Sequence, residues 1–199
     1  MDEKQKLIIE GAIKLFKQYG LRSVSMDDVS RSLGMSKKTL YQFVDNKDDL
    51  ITRAIDYVIE RNTRIDTKDE SLNAIDVLLE ISSLISAETL EINPVVRYDL
   101  FKYFPAIYNS ALNKRREQIY QDILANYECG VRQGLYREDL DIDVVAKLYI
   151  KNLMEIHDAD FINAPLSKIL KVMFDSHIRS IINEKGLEYY EQKIKSHDL

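Results

Sequence analysis

Two serines set eleven residues apart, Ser25 and Ser36, with Gly34 between them, constrain the fold of this chain more than any other feature. A serine just before a run of apolar residues at helical spacing is an N-cap, because its hydroxyl accepts from backbone N–H groups that have no intrahelical partner. Asp28 stands three residues after Ser25, which makes a capping box with Asp in place of the usual Glu or Gln. Val24 and Val29 occupy the positions of a hydrophobic staple, and Met35 and Leu40 repeat it around Ser36. Gly34 ends the first of these helices. The pattern predicts two short helices joined by a tight turn, a helix-turn-helix with Val29, Leu33, Met35, Leu40 and Val44 as its core. Leu40 and Val44 share one face of the second helix, so Lys37, Lys38, Tyr41 and Gln42 point elsewhere. Both lysines lie in the first turn, the unfavourable end of a helix dipole for a cation. That placement makes sense where a phosphate or a base edge approaches, and the first residues of a recognition helix are those that reach a major groove.

Helical periodicity covers the rest of the chain. Ile8, Ala12, Leu15, Phe16 and Tyr19 predict a first helix that stops at Gly20. A fourth helix starts near Lys47, with Leu50, Ile51, Ala54, Ile55 and Val58 on one side and its later turns expected to pack into the following body. A fifth opens at Glu70-Ser71 and is apolar around most of its circumference. Asn93-Pro94 supplies an N-cap and an N1 proline for a short helix that breaks before Pro105. A long helix then runs to about Gln133 and stops at Gly134. Asp141 begins another. Asn163-Ala164-Pro165 begins the next, which is expected to end at Gly186 and leave room for a charged tail helix. No stretch alternates with period two over a strand's length.

Composition narrows the function classes. Net charge is -5, which argues against coating nucleic acid by bulk charge but leaves a local patch open. Residues 1–50 carry nine Lys/Arg and eight Asp/Glu, a balance of +1, whereas the remaining 149 carry 19 and 25, a balance of -6. Cys129 is the one cysteine, so neither an internal disulfide nor a CxxC metal site is available. Its free thiol suits a reducing cytoplasm, the expected location. No Gly-x-Gly cradle and no membrane-length apolar run is present and no signal sequence is expected, so no cofactor and no membrane partner is expected.

The string from Gly34 through Leu50, GMSKKTLYQFVDNKDDL, resembles the signature of the tetracycline-repressor (TetR) family of bacterial transcription regulators. Ala12-x-x-Leu15-Phe16-x-x-x-Gly20 and Ser25-Met26-Asp27-Asp28-Val29 resemble that family's first helices, so that the likeness covers about residues 5–51. It implies an all-α fold: a three-helix helix-turn-helix DNA-binding domain over 1–46, then a helical effector-binding and dimerisation domain over 47–199. It implies that Thr39 and Tyr41 touch phosphate or bases, that Lys37 and Lys38 help read sequence, and that Lys47 grips phosphate at a helix start. The candidate DNA-contacting set is therefore Ser25, Ser36, Lys37, Lys38, Thr39, Tyr41, Gln42, Phe43 and Lys47. Phe43 departs from the family's usual His or Tyr, which removes a polar phosphate contact or replaces it with packing. Lys38 departs from a commoner small residue and adds a charge.

The body offers no defensible catalytic constellation. His157 with Asp158 and Asp160 supplies too few ligands for a metal. Tyr98, Phe101, Tyr103, Phe104 and Tyr108 form the densest aromatic run, and tyrosine provides both apolar surface and polar handles, so these five are the candidate effector-pocket residues. The expected function is a ligand-responsive, homodimeric DNA-binding regulator, most simply a repressor. Its partners would be a duplex operator, a second copy paired through helices at about 141–160 and 165–184, and a small, largely apolar effector. Two alternatives stand beside it: a helical-bundle enzyme with an incidental helix-turn-helix, and a DNA-binding protein with no effector.

Overall fold

The computed structural model describes residues 1–62, 72–91, 93–156 and 163–196. The expected fifth-helix start at Glu70-Ser71, and the His157, Asp158 and Asp160 group, lie outside the described residues. Among the described residues the fold is all-α: α1 (Glu3–Tyr19), α2 (Met26–Ser32), α3 (Lys37–Leu40), α4 (Lys47–Asn62), α5 (Ala74–Glu91), α6 (Pro94–Tyr103), α7 (Pro105–Arg132), α8 (Ile142–Glu155), α9 (Leu166–Ile181) and α10 (Glu184–Ser196). The chain divides into two compact units, Met1–Arg64 with Glu91–Arg115, and Ile65–Leu90 with Arg116–Leu199.

The first unit is built on the apolar stripe of α1. Ile8, Ala12 and Phe16 pack with Val29, Leu40, Val44, Leu50 and Ile51 into one core, and all eight are buried. Gly20 caps α1 at φ 82°, the left-handed region in which a Cβ is strained. The later apolar residues of α4 also belong here, not to a separate body: Ile55 and Tyr57 pack on this core, and so do Val96, Leu100, Phe104 and Ile107 from α6 and the start of α7. The compact units therefore do not follow a boundary after residue 46. An apolar face is buried wherever a partner stripe lies, and for α4 that partner is α1.

The second unit holds two cores. Ile75, Leu78, Tyr127, Tyr136, Phe174, Ile178 and Tyr190 form one, and Ile119, Ile123, Ala146 and Ile150 the other. Cys129 is half-buried and packs on the first of these. A buried polar chain joins three segments: Tyr136 Oη donates to Asn126 Oδ1 at 2.9 Å, and Asn126 Nδ2 donates to the Ala74 carbonyl at 2.9 Å. Burial pushes the Tyr136 hydroxyl far up, so it stays a neutral donor. His177 on α9 is 7% exposed and stacks on Tyr149 of α8, with ring centroids 4.0 Å apart.

One helix end differs from the periodicity. The helix expected to run to Gly186 stops at Ile181. Ile182 turns extended and forms an isolated antiparallel bridge with Tyr136. Asn183 then caps α10, accepting from the Gly186 N–H at 3.0 Å. Gly186 is thus inside a helix, and its lack of a side chain serves close packing: a Cβ there would lie 2.2 Å from the Leu135 carbonyl oxygen.

Gly186→Ala should therefore cost about 1–3 kcal/mol, as an overpacked core substitution does, measured as a lower denaturation midpoint in urea. His177 gives a second expectation. Burial pushes its pKa down from 6.5 to about 4, so between those values the unfolded chain binds a proton that the folded one refuses. Stability should fall as pH drops from about 6.5 towards 4, and His177→Gln should flatten that part of the pH–stability curve.

Candidate nucleic-acid interface

Each expected cap is formed. The Ser25 hydroxyl accepts from the Asp28 N–H at 3.2 Å, and the Asp28 carboxylate accepts from the Ser25 N–H at 2.9 Å and from its hydroxyl at 2.5 Å. These bonds from Ser25 hold the Asp28 carboxyl below its ordinary pKa of 3.8. The Ser36 hydroxyl accepts from the Thr39 N–H at 3.0 Å and bonds the Thr39 hydroxyl at 2.8 Å. Gly34 turns at φ 62° between the two helices. Val24, Val29, Leu40 and Val44 are buried, and Leu33 and Met35 pack half-buried beside them.

The second reading element is shorter than expected. Regular α-helix spans Lys37–Leu40, and residues 41–43 continue as a tighter turn, in which the Gln42 and Phe43 N–H groups donate three residues back to the Thr39 and Leu40 carbonyls. The tightening draws Val44 into the core straight after the helix, so a polar element only two turns long can be anchored at both ends.

Lys37, Lys38, Tyr41 and Gln42 are exposed on this element, and Thr39 is half-buried. Tyr41 is 48% exposed, so it is no packing aromatic. Lys37 Nζ lies 2.5 Å from Asp27 Oδ1 in a pair exposed on both sides. Such a pair is worth less than about 1 kcal/mol, so it yields readily to a stronger anion. Lys38 makes no ion pair among the described residues. Phe43 packs half-buried against the core, with Lys4 Nζ 5.8 Å from its ring centroid. Phe43 is thus a packing residue there, with a cation of α1 near its ring.

Lys47 stands at the start of α4, where the caps come from Asn46 and Asp49: Asn46 Oδ1 accepts from the Asp49 N–H at 2.9 Å, and Asp49 Oδ2 accepts from the Asp45 N–H at 2.9 Å. The signal for these caps in the sequence is the Asn46-x-x-Asp49 spacing. Lys47 Nζ donates to the Arg22 carbonyl at 3.1 Å, and partial burial lowers its pKa. Arg22 itself carries no sequence signal. It is exposed in the turn before α2, its N–H donates to buried Asp99 of α6 at 2.9 Å, and its guanidinium donates to Tyr103 Oη at 2.8 Å.

The five aromatics at 98–108 lie in the first unit, three of them exposed. Tyr98, Phe101 and Tyr103 are 53%, 65% and 37% exposed, Phe104 packs on the first unit's core, and Phe101 meets Tyr108 edge-on at 5.8 Å. None of them lines either of two concavities in the second unit, one beside Arg137 and Leu187 and one of about 520 Å3 between Ile156, Ile169, Val172 and Met173. The spacing of α6 explains this: the face that carries Leu100 and Phe104 is needed by the first unit's core, which leaves Tyr98 and Phe101 outside.

Comparison with known proteins agrees with this geometry. The sequence model of the family described as bacterial regulatory proteins, tetR family, matches residues 8–54. The chain is 38% identical over 66 residues to YuxN, an uncharacterized HTH-type transcriptional regulator of Bacillus subtilis, a match that covers 33% of this chain and 23% of YuxN. It is 25% identical over 161 residues to YvaF, another such regulator of that organism, covering 78% of this chain and 82% of YvaF. The crystal structure of a transcriptional regulator from Cytophaga hutchinsonii superposes with a TM-score of 0.73 at 19% identity, over 92% of this chain and all of that one, which shows a shared fold. With its capped helix-turn-helix in place and an all-helical remainder behind it, the chain carries over residues 8–54 a segment that matches the tetR family of bacterial regulatory proteins.

Proposed function

We propose that this protein is a sequence-specific DNA-binding transcriptional regulator that acts as a homodimer, represses by occupying its operator, and responds to a small effector. The observation that carries the reading is the division of labour on the helix-turn-helix: Val29, Leu40 and Val44 are almost fully buried, while Lys37, Lys38, Tyr41 and Gln42 stand exposed on the second element. A face kept polar, basic and free of core duties suits insertion into a major groove. Ser25 and Ser36 hold the two helix starts in place, with Lys47 beside the first of them. Lys47 contacts phosphate and Lys37 leaves Asp27 to reach a base edge, in this reading.

Pairing of two copies is supported by α8 and α9. Their expected interface set splits in two. Leu170, Phe174, Ile178 and Ile181 serve the chain's own core, whereas Val144, Leu148 and Val172 are 48%, 59% and 57% exposed. Bulky aliphatic residues left outside on neighbouring helices suit an isologous contact. Two heads held by such a contact read half-sites about 34–36 Å apart, or a multiple of that. An effector that favours another spacing lowers operator affinity, and operator lowers effector affinity by the same factor. Tyr98, Phe101, Tyr103, Phe104 and Tyr108 remain the candidates for the effector's site in this reading, with Tyr98, Phe101 and Tyr103 exposed.

Selection of preferred duplexes from a random pool tests the reading directly. Lys37→Ala should alter the selected sequence, with about 1–3 kcal/mol lost at the affected position. Lys47→Ala should weaken all duplexes alike and lower the salt slope by about 0.9 for each phosphate no longer neutralised. No duplex selected above background would refute the function. For assembly, Leu148→Glu with Val172→Glu should convert a dimer to a 23.2 kDa monomer in equilibrium sedimentation at micromolar concentration; a wild type that sediments as a monomer would defeat the pairing.

A further inference from the structure

We infer that the C-terminal end of α6 extends the DNA-binding surface, with Lys102 as a contact to backbone phosphate flanking the sequence read by α3. The inference rests on the proposed function above. Three cations line up from the reading head onto α6. Lys47 Nζ donates to the Arg22 carbonyl at 3.1 Å and lies 5.8 Å from the Phe104 ring centroid. The Arg22 guanidinium sits 4.6 Å from the Tyr103 centroid and donates to its hydroxyl. Lys102 Nζ lies 5.6 Å from the same ring on α6, and donates to Tyr98 Oη at 2.6 Å. No carboxylate among the described residues forms an ion pair with Arg22, Lys47 or Lys102. Asp99, Asp48 and Asp28 lie near enough to act on Lys47 without an ion pair, and Asp99 is buried and already accepts from the Arg22 N–H.

Rings, phenol oxygens and the Arg22 carbonyl thus hold the cations in place without a direct ion pair. Like charges gathered in this way repel, an arrangement that a polyanion relieves. A DNA strand is such a polyanion, with phosphates spaced regularly enough to meet successive cations. The row begins at Lys47, which is the phosphate contact of the proposed function, and so runs away from the groove-reading residues along the backbone. Tyr98 and Tyr103 are exposed enough to donate to phosphate as well. A protein or small-molecule partner would need its own anionic groups at this spacing, whereas DNA is already present at the neighbouring residue.

The test uses the full chain and a duplex obtained by selection, in two lengths: the selected core alone, and the core with several base pairs added on each side. Affinity is measured across a salt series for wild type, Lys102→Ala, Lys102→Arg and Lys195→Ala, the last an exposed lysine of the second unit. On the long duplex Lys102→Ala should lower the magnitude of the salt slope by about 0.9 for each phosphate no longer neutralised, with the preferred sequence unchanged. Lys102→Arg should keep the wild-type slope, Lys195→Ala should match wild type, and the difference should vanish on the core duplex. A Lys102→Ala slope equal to wild type on the long duplex would overturn the inference. So would a drop in affinity with the slope unchanged, which marks a merely structural staple between α6 and the head. Because Lys37→Ala reports base reading on the same duplexes, a normal Lys37 effect beside a silent Lys102 removes this inference alone. Absence of any salt-dependent binding by wild type removes the proposed function and this inference with it.

Discussion

Everything in the first unit depends on the burial of one apolar face of α4 against α1. Leu50 and Ile51 are fully buried with Ile8 and Ala12, and the helix-turn-helix is suspended from that contact by Val29, Leu40 and Val44. Neither α2, with seven residues, nor α3, with four, is long enough to be stable by itself. Their hydrogen-bonding capacity is completed by Ser25 and Ser36, but their orientation comes from the core. A reading element must be both polar and rigid. The first unit achieves this by giving the apolar work to two long helices and leaving the short one free.

The same economy governs α6. Its buried residue Asp99 accepts from the Arg22 N–H, and Asn93 at its N-cap donates to the Lys17 carbonyl at 2.6 Å. These bonds fasten the last turn of α1 and the turn that follows it to a helix far along the chain. Gly20 is required at that place, since a Cβ would lie 2.9 Å from Asp99 and its φ is positive. A conformational change in α6 would therefore be felt at the start of α2, beside Lys47. The helix α7 begins in the first unit and continues into the second, where α8 and α9 leave Val144, Leu148 and Val172 outside. In the proposed function operator reading and pairing therefore fall to different residues, which is what a regulator needs if one is to be altered without unfolding the other.

Local chemistry was legible wherever the deciding partner is a few residues away. The caps at Ser25, Ser36, Asn93 and Asp141 are all made, because a cap is a contact over two or three residues. The left-handed turns at Gly20, Gly34 and Gly134 follow for the same reason. What failed were inferences that needed a distant partner. Gly186 reads as a helix stop, yet its role is to let Leu135 approach, a contact over fifty residues in sequence. Likewise the sequence does not show that Tyr103 is drawn to Arg22 and Phe104 to the core of α1.

The sequence by itself determined that this chain is helical, that residues 25–43 form a capped helix-turn-helix, and which of its side chains are spared from the core, because periodicity and capping are local and have a fixed geometry. Only the tertiary structure decided that α4 and α6 pack with α1, that Lys47 reaches the Arg22 carbonyl while Arg22 and Lys102 share the Tyr103 ring, and that Leu170 and Phe174 turn inward while Leu148 and Val172 stay out. An amphipathic helix specifies that one face must be buried. It carries no information about which of several equally apolar stripes will cover it, since the hydrophobic effect has no direction, and that choice is made by the simultaneous packing of the whole chain.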